Sequence, residues 1–395
     1  MSTPSLSEQP RRVASVDAYR GFVMFLMMAE VLRLGRISRE LPESSFWEFL
    51  AFHQSHVPWT GCSLHDLIQP SFSFLVGVAL PFSLLSRKSK GMSNGQLWAH
   101  TLKRSLILIF LGIFLRSMHS TQTNFTFEDT LTQIGLGYPF LFALGFAKPR
   151  VQWIAFAGIL IGYWLLFALY PLPGPDFDWS QAGVAADWEH HLKGFAAHWN
   201  KNTNPAWAFD QWFLNLFPRE KPFLFNGGGY STLSFIPTLG TMTLGLFAGQ
   251  WLRDRKPDLL KTFIVLGIAL LAGSTILSWI GISPIVKRIW TPGWVLFSGG
   301  WAFLLLAFFY YVADHLQIQK PFYFLMVIGA NSIAAYVLAE TFPSFIHESM
   351  EIHFGKDYFM WAGEPYYLLV RGAFQLLMLW LILRWLYVKK IFIKI

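Results

Sequence analysis

Apolar segments long enough to cross a membrane run through the whole of this sequence. A spanning helix needs roughly 20 mostly apolar residues. Only 14% of the 395 residues are charged, against about a quarter in a typical soluble domain. We therefore predict one all-α, polytopic membrane domain over residues 1–395. Ten segments have the length and composition of spanning helices: 17–34, 66–86, 101–118, 131–148, 151–171, 231–252, 260–282, 293–313, 321–341 and 364–388.

The third of these segments is the weakest, because Lys103 and Arg104 lie inside it. We keep it as a span, since long basic side chains near a helix end can extend to the membrane surface. Residues 1–16 are polar, and no small-residue cleavage site follows the first apolar segment. We therefore expect that segment to remain as a helix rather than to be removed as a signal peptide.

Basic residues indicate the orientation, because they collect in cytoplasmic loops. They are concentrated near the N-terminus, in 87–90, in 253–256 and near the C-terminus. We expect both termini in the cytoplasm, and the segments 35–65 and 172–230 on the opposite side. The net charge of +8 follows from the same bias and does not require nucleic acid as a partner. The lipid bilayer is the expected surroundings.

The longest segment without a span, 172–230, is rich in tryptophan, and we predict one or two short helices between Asp187 and Phe217. Tryptophans at a membrane surface are most often interfacial anchors. Their rings also complement the apolar faces of sugars, and Trp199 and Trp207 are our candidates for that role. The sequence alone leaves both interpretations open.

A polar segment with titratable side chains, from His56 to Pro70, leads directly into the second apolar segment. Imidazole can act as a general base or as a nucleophile near neutral pH. A carboxylate such as Asp66 can fix its tautomer and stabilise its protonated form, while Trp59 and Gly61 would shape the loop. The alternative is that His56 is an ordinary solvent-exposed histidine.

The first predicted span carries three ionisable residues. Asp17 and Arg20 lie three residues apart on one helix face, which is the arrangement of a neutralising ion pair. Glu30 lies thirteen residues beyond Asp17, or about 20 Å along a helix. A carboxylate at that depth is expensive unless it is paired or protonated. Glu30 is therefore a candidate active-site carboxylate near the level of His56.

Cysteine and histidine spacing argues against a metal or a disulfide. The single Cys62 excludes an intrachain disulfide, and the spacing of a zinc site is absent from the sequence. We expect no metal cofactor, and we interpret Cys62 as a small apolar residue rather than a nucleophile.

Several motifs, in their order along the chain, resemble the heparan-alpha-glucosaminide N-acetyltransferase family of transmembrane acyltransferases. That family has a segment with His, Trp, Gly, Asp-Leu and Pro at the spacing found between His56 and Pro70. The resemblance extends over most of the chain. The other similar stretches are Ser15 to Gly21, Phe235 to Leu239, Gly245 to Leu252, Ile285 to Leu296 and Gly329 to Ile333.

The resemblance implies an acyltransferase that moves an acyl group, expected to be acetyl, from cytosolic acetyl-CoA to an extracytoplasmic sugar or glycan. It implies that His56 is the base or the acyl carrier, with Asp66 as its orienting partner. Asn331 would be a polar group near the site. Arg20 and Arg104 are candidate partners for the phosphates of coenzyme A.

The chain looks closer to a bacterial branch of the family, which implies a multi-pass protein of the cytoplasmic membrane and is compatible with a homodimer. It departs from the family pattern at two places. An asparagine late in the family's first span falls near Glu30 or Val31 here. A Gln-Arg pair in the family's fourth span appears as Thr132 and Gln133, which removes a buried positive charge.

A transporter or flippase for a glycan or lipid-linked precursor is the alternative function, because it would use the same cavity without acyl chemistry. Broken helices near mid-membrane favour this alternative, and Pro70, Pro81 and Pro237 are weak signals of that kind. A histidine backed by a carboxylate favours the enzyme.

Overall fold

Helices make up the regular structure of residues 13–393, the part of the chain that our computed structural model describes. Residues 1–12, which belong to the predicted cytoplasmic N-terminus, lie outside the described residues. The helices in this range are α1 Ala14–Met28, α2 Leu34–Glu40, α3 Ser45–His53, α4 Ile68–Ser89, α5 Asn94–Ser117, α6 Thr130–Leu144, α7 Pro149–Ala168, α8 Pro205–Phe213, α9 Phe235–Arg253, α10 Leu259–Trp279, α11 Pro292–Phe309, α12 Tyr323–Ala330, α13 Ser332–Thr341, α14 Pro343–Phe354 and α15 Tyr367–Val388.

The predicted all-α membrane class is confirmed. Within the described residues, seven helices are long and apolar enough to span a membrane, and the bent pair α12–α13 would make an eighth span. The first and fourth predicted spans fold as the shorter helices α1 and α6, each of 15 residues. The count of ten spans therefore stays a prediction.

Helix α5 shows how the weakest predicted span tolerates its two basic residues. It begins with a capping box, in which the Ser93 hydroxyl and the Gln96 side chain each bond the backbone of the other residue. Lys103 is exposed on the outside of the bundle. Arg104 instead points inward, and its guanidinium donates to the Tyr138 hydroxyl at 3.0 Å. Arg104 thus has a partner inside the bundle, and the extension of both side chains to the membrane surface stays a prediction.

The packing of α4 against α9 depends on glycine. Gly77 of α4 and Gly245 and Gly249 of α9 face the backbone of the opposite helix so closely that an added Cβ would collide with a carbonyl oxygen. Small residues at such a contact let two membrane helices approach closely and gain dispersion contacts. This contact fixes α4, which carries much of the site described below.

The predicted ninth span, 321–341, is broken rather than continuous. Its two halves, α12 and α13, meet at an angle of 72°, because Asn331 leaves the helical conformation with φ −129° and ψ 43°. Its side-chain amide donates to the carbonyl of Ile391 at 2.9 Å and accepts from the backbone N–H of Ile393 at 2.9 Å. Asn331 therefore fastens the C-terminal segment to the break.

The expected orientation can be tested with introduced cysteines in a Cys62→Ser background. Ser89 is exposed at the end of α4, and Gly174 is exposed in segment 172–230 with no neighbour that a side chain would strike. We expect a membrane-impermeant maleimide to label Gly174→Cys in intact cells and to label Ser89→Cys only after the membrane is opened. The opposite pattern would reverse the orientation.

Candidate active site

The loop that carries His56 is fixed to the loop between α10 and α11. The Gly61 N–H donates to the Ile285 carbonyl at 3.0 Å, and Thr60 forms a bridge with Val286. Gly61 has φ +108°, a conformation that side chains with a Cβ rarely adopt. These contacts bring His56 next to Lys287, although the two residues are 231 positions apart.

Asp66 holds His56 in place. Its carboxylate lies 2.8 Å from His56 Nδ1 and accepts hydrogen bonds from the backbone N–H groups of Val57 and Ser63 at 3.2 and 3.0 Å. The Ser63 hydroxyl also lies 3.0 Å from the Asp66 carboxylate. A carboxylate with this many donors is fixed in position and stays ionised.

Lys287 completes a buried charge cluster with this pair. Its ammonium lies 3.4 Å from Asp66 Oδ1 and 3.1 Å from His56 Nδ1, and the side chains of Lys287 and Asp66 are only 5% and 1% exposed. One ring nitrogen cannot donate to a carboxylate and accept from an ammonium at the same time. Because the carboxylate is the closer group, we assign the hydrogen to Nδ1. The lone pair of His56 is then on Nε2.

The same cluster sets the charge of the ring. Burial lowers the pKa of His56, and the positive charges of Lys287 and Arg288 lower it further against the opposing effect of Asp66. Burial also lowers the pKa of Lys287 to about 8, although Asp66 favours its charged form. Near neutral pH the imidazole is therefore neutral beside a charged lysine, which is the state that a base or nucleophile requires.

His56 lines a polar space of about 480 Å³, which we call the histidine cavity. His65 and Glu30 line it beside His56. The His65 ring centre is 4.5 Å from that of His56, and its Nε2 lies 3.4 Å from a Glu30 carboxylate oxygen. Further charged residues of the lining are Arg116, Glu128, Asp129, Lys287 and Glu340.

A second space of about 380 Å³, which we call the arginine cavity, lies nearer the C-terminal end of α4. Arg20, Arg87 and Arg104 line it, and Arg20 also pairs with Asp17 at 3.5 Å. The two cavities share three lining residues, Phe72, Thr130 and Tyr336.

One face of α4 connects the two cavities. Its lining residues recur every three or four positions, which is the spacing of a single helix face. Arg87 lies 22 positions beyond His65, or about 33 Å along this face. That length is close to the roughly 30 Å thickness of a hydrocarbon core. The positions on this face are Ile68, Gln69, Phe72, Leu75, Val76, Ala79, Ser83 and Arg87.

The structure brings part of the predicted site together. His56 and Glu30 line one cavity, with Asp66 directly behind His56. Arg20 and Arg104 line the other cavity together, as expected for residues that would bind one anionic ligand.

Four residues predicted to lie at the site, Trp59, Trp199, Trp207 and Asn331, do not line either cavity. Trp199 is completely buried, and Trp59, which is 1% exposed, donates its indole N–H to the Trp199 carbonyl at 3.0 Å. Trp207 bonds the carbonyl of Leu224 at 2.9 Å. Asn331 is used at the break between α12 and α13. The part of segment 172–230 that does reach the histidine cavity is Asn226 to Tyr230.

Sequence reasoning missed His65, Lys287, Arg116 and Glu340. His65 lies inside the polar segment that drew attention to His56, and Lys287 lies in one of the stretches that carry the family resemblance. Arg116 lies in the last turn of α5 and lines the cavity together with Glu128 and Asp129.

Histidine, cysteine and carboxylate side chains of residues 13–393 form no group of three or more that could hold a metal ion.

Comparison with known proteins confirms the resemblance. No family model matches the chain. A human protein named heparan-alpha-glucosaminide N-acetyltransferase is 26% identical over 390 residues, which cover 87% of this chain and 55% of the relative. A mouse protein of the same name is 23% identical over 377 residues, 85% of this chain and 54% of the relative. This chain thus spans about half the length of the curated relatives it matches. At the family level, the similarity supports a transmembrane acetyltransferase.

Replacing Lys287 tests the charge cluster. We expect Lys287→Gln to raise the pKa of His56, because removing a nearby ammonium removes its repulsion of the imidazolium. The pH dependence of His56 modification by diethyl pyrocarbonate, followed by mass spectrometry of the His56 peptide, measures this pKa. Lys193→Gln, at an exposed lysine of segment 172–230, is the matched control. An unchanged pKa in Lys287→Gln would contradict the assigned contacts.

Replacing Trp199 tests its role in the core. We expect Trp199→Ala to lower the free energy of unfolding by about 3–5 kcal/mol, the usual cost of emptying a buried aromatic position. Trp212→Ala should change stability little, because Trp212 is 61% exposed. Thermal unfolding of the purified proteins compares the two. Equal stability of both variants would mean that Trp199 is not a core residue.

Proposed function

We propose that this chain transfers an acetyl group from acetyl-CoA at the cytoplasmic face of a bacterial cytoplasmic membrane to an amino sugar at the opposite face. The observation that carries this proposal is the pair of cavities that share Phe72, Thr130 and Tyr336. One cavity has the charge to bind an anionic donor. The other has a neutral, carboxylate-held histidine with the chemistry to transfer an acyl group.

The arginine cavity suits the donor. The phosphates of coenzyme A are anionic, and the guanidinium groups of Arg20, Arg87 and Arg104 converge on this cavity. Arginine is the usual partner of phosphate, because its planar group can donate two parallel hydrogen bonds. Between Arg87 and Phe72, the face of α4 that lines the cavity is mostly apolar. An apolar lining suits the pantetheine arm of coenzyme A, whose thioester would then lie toward Phe72.

The histidine cavity suits a cationic or hydroxyl-rich acceptor. Glu30, Glu128 and Glu340 line it, and their oxygens can accept hydrogen bonds from an ammonium group and from sugar hydroxyls. The curated relatives are named for a glucosaminide acceptor. We therefore favour an amino sugar over a neutral glycan.

The chemistry follows from the state of His56. Its Nε2 lone pair attacks the thioester carbonyl, the carbon–sulfur bond breaks, and coenzyme A leaves as the thiolate. The acetyl group is then held on Nε2, while Asp66 stabilises the positive charge on the ring through Nδ1–H. The acceptor amine attacks the acetyl carbon, loses a proton and leaves as the amide, and His56 is restored. The thiolate takes up a proton from solvent on the cytoplasmic side, and the proton lost by the amine passes to solvent on the acceptor side.

A transporter remains the second candidate, and the break at Asn331 favours it. Gly329, Ala330 and Ser332 flank this break and line the arginine cavity, and discontinuous helices of this kind often form transport sites. A transporter would move an unmodified substrate, and the loss of His56 would not stop it.

Replacing His56 or Asp66 separates the enzyme from the transporter. We expect His56→Ala to lower acetyl transfer to glucosamine by roughly 10²–10⁴-fold or more, the usual range for losing an acid–base group, with acetyl-CoA affinity nearly unchanged. Asp66→Asn should cause a smaller loss, because it disturbs the tautomer and not the reacting nitrogen. Full turnover in His56→Ala would remove this mechanism.

Replacing Arg104 tests the donor cavity. Arg104→Gln should weaken acetyl-CoA binding by roughly 10- to 150-fold, since a hydrogen bond to a charged group contributes about 1.5–3 kcal/mol. Lys103→Gln should leave binding unchanged, because Lys103 is adjacent in sequence but exposed on the other side of α5. Isothermal titration of both purified variants compares them. Equal affinities would place the donor elsewhere.

A further inference from the structure

The histidine cavity contains a second histidine–carboxylate pair that the proposed mechanism does not use. His65 Nε2 lies 3.4 Å from Glu30 Oε1, and the His65 side chain is 11% exposed. Its ring centre is 4.5 Å from the His56 ring. Two imidazoles, each with its own carboxylate, therefore stand side by side in one cavity.

This second pair is held in place from both sides. Glu30 lies in the 3₁₀ turn Ala29–Leu32 that ends the first helix. The Gln54 side chain fixes that turn, donating to the Ala29 carbonyl at 2.6 Å and accepting from the Leu34 N–H at 2.7 Å. His65 opens the 3₁₀ turn His65–Leu67, which leads directly into α4. The backbone thus positions both partners, although the Glu30 side chain is 54% exposed.

A structural role does not account for His65. Its ring is not a cap for the helix that it precedes. Within residues 13–393, the His65 side chain pairs with Glu30, packs against His56 and lines the cavity. His53, by comparison, accepts a hydrogen bond from the backbone N–H of Leu64 at 3.2 Å and so supports the loop. His53 and His65 therefore have different roles.

We propose that His65 is the general base for the acceptor, with Glu30 as its positioning partner, while His56 handles the acetyl group. This inference rests on the proposed function and assigns a separate group to its second step. While the acetyl group is on Nε2 of His56, that ring has no free nitrogen to accept a proton, because Nδ1–H faces Asp66. The proton of the incoming amine needs another acceptor in the same cavity, and His65 lies beside it.

The step balances with these two residues. The acceptor nitrogen forms a bond to the acetyl carbon, and the bond from that carbon to His56 Nε2 breaks. The proton of the acceptor nitrogen moves to the His65 imidazole, and Glu30 stabilises the imidazolium that forms. His65 then releases the proton to solvent on the acceptor side, while the coenzyme A thiolate of the first step takes a proton from solvent on the donor side.

Three rates separate the two histidines. The first is the exchange of labelled coenzyme A into acetyl-CoA without acceptor, which needs His56 alone. The second is acetyl transfer to glucosamine, which needs a base. The third is transfer to hydroxylamine, whose nitrogen is largely unprotonated at neutral pH and attacks without a base.

We expect His65→Gln to lower transfer to glucosamine by roughly 10²–10⁴-fold, while exchange and transfer to hydroxylamine stay within about 3-fold of wild type. Glu30→Gln should give a smaller loss of the same selective kind. His53→Gln, which keeps a hydrogen-bond acceptor for Leu64 and does not line the cavity, should leave all three rates near wild type. Retained exchange also shows that the His65 variant is folded.

An equal loss of all three rates in both His65→Gln and His65→Asn would mean a structural role and would overturn the inference. So would unchanged transfer to glucosamine. A failure of the proposed function would give a different result. His56→Ala would then keep both the exchange of coenzyme A into acetyl-CoA and the transfer to glucosamine, whatever the His65 variants do.

Discussion

The buried carboxylate of Asp66 is the interaction on which the site depends. It joins three parts of the chain, because it bonds the loop that starts at His56, stands at the start of α4, and attracts Lys287 from the loop before α11. Removing a charge from water is costly unless it is paired and hydrogen-bonded. Both conditions are met here, so one cluster holds these loops together, while burial and the neighbouring positive charges lower the pKa of His56.

A second constraint is the membrane. A helix that crosses it can present one continuous face from end to end, and α4 uses that face to line both cavities. The close glycine contact with α9 fixes the opposite side of α4. In this way one rigid element holds the two cavities at a fixed separation, as the proposed transfer between two faces of a membrane requires.

Much of the fold could be predicted from the sequence, because apolar length is a strong signal in membranes. The pair of His56 and Asp66 was also within reach, since both residues lie in one short polar segment. The break at Asn331 was not, because the residues around it are apolar and only the tertiary contact with residues 391–393 shows it. Lys287 joins the site through long-range contacts, which residue spacing does not reveal. Trp199 looked like a surface residue because loop tryptophans often are, but Phe167 and its neighbours cover it.

The central claim is that the two cavities form one route for an acetyl group between opposite membrane faces. The direct measurement uses sealed proteoliposomes with acetyl-CoA only inside and glucosamine only outside. The account predicts that N-acetylglucosamine appears outside while coenzyme A stays inside, and that His56→Ala abolishes it. Product that forms only when both substrates are on the same side, or release of coenzyme A to the outside with the product, would contradict the account.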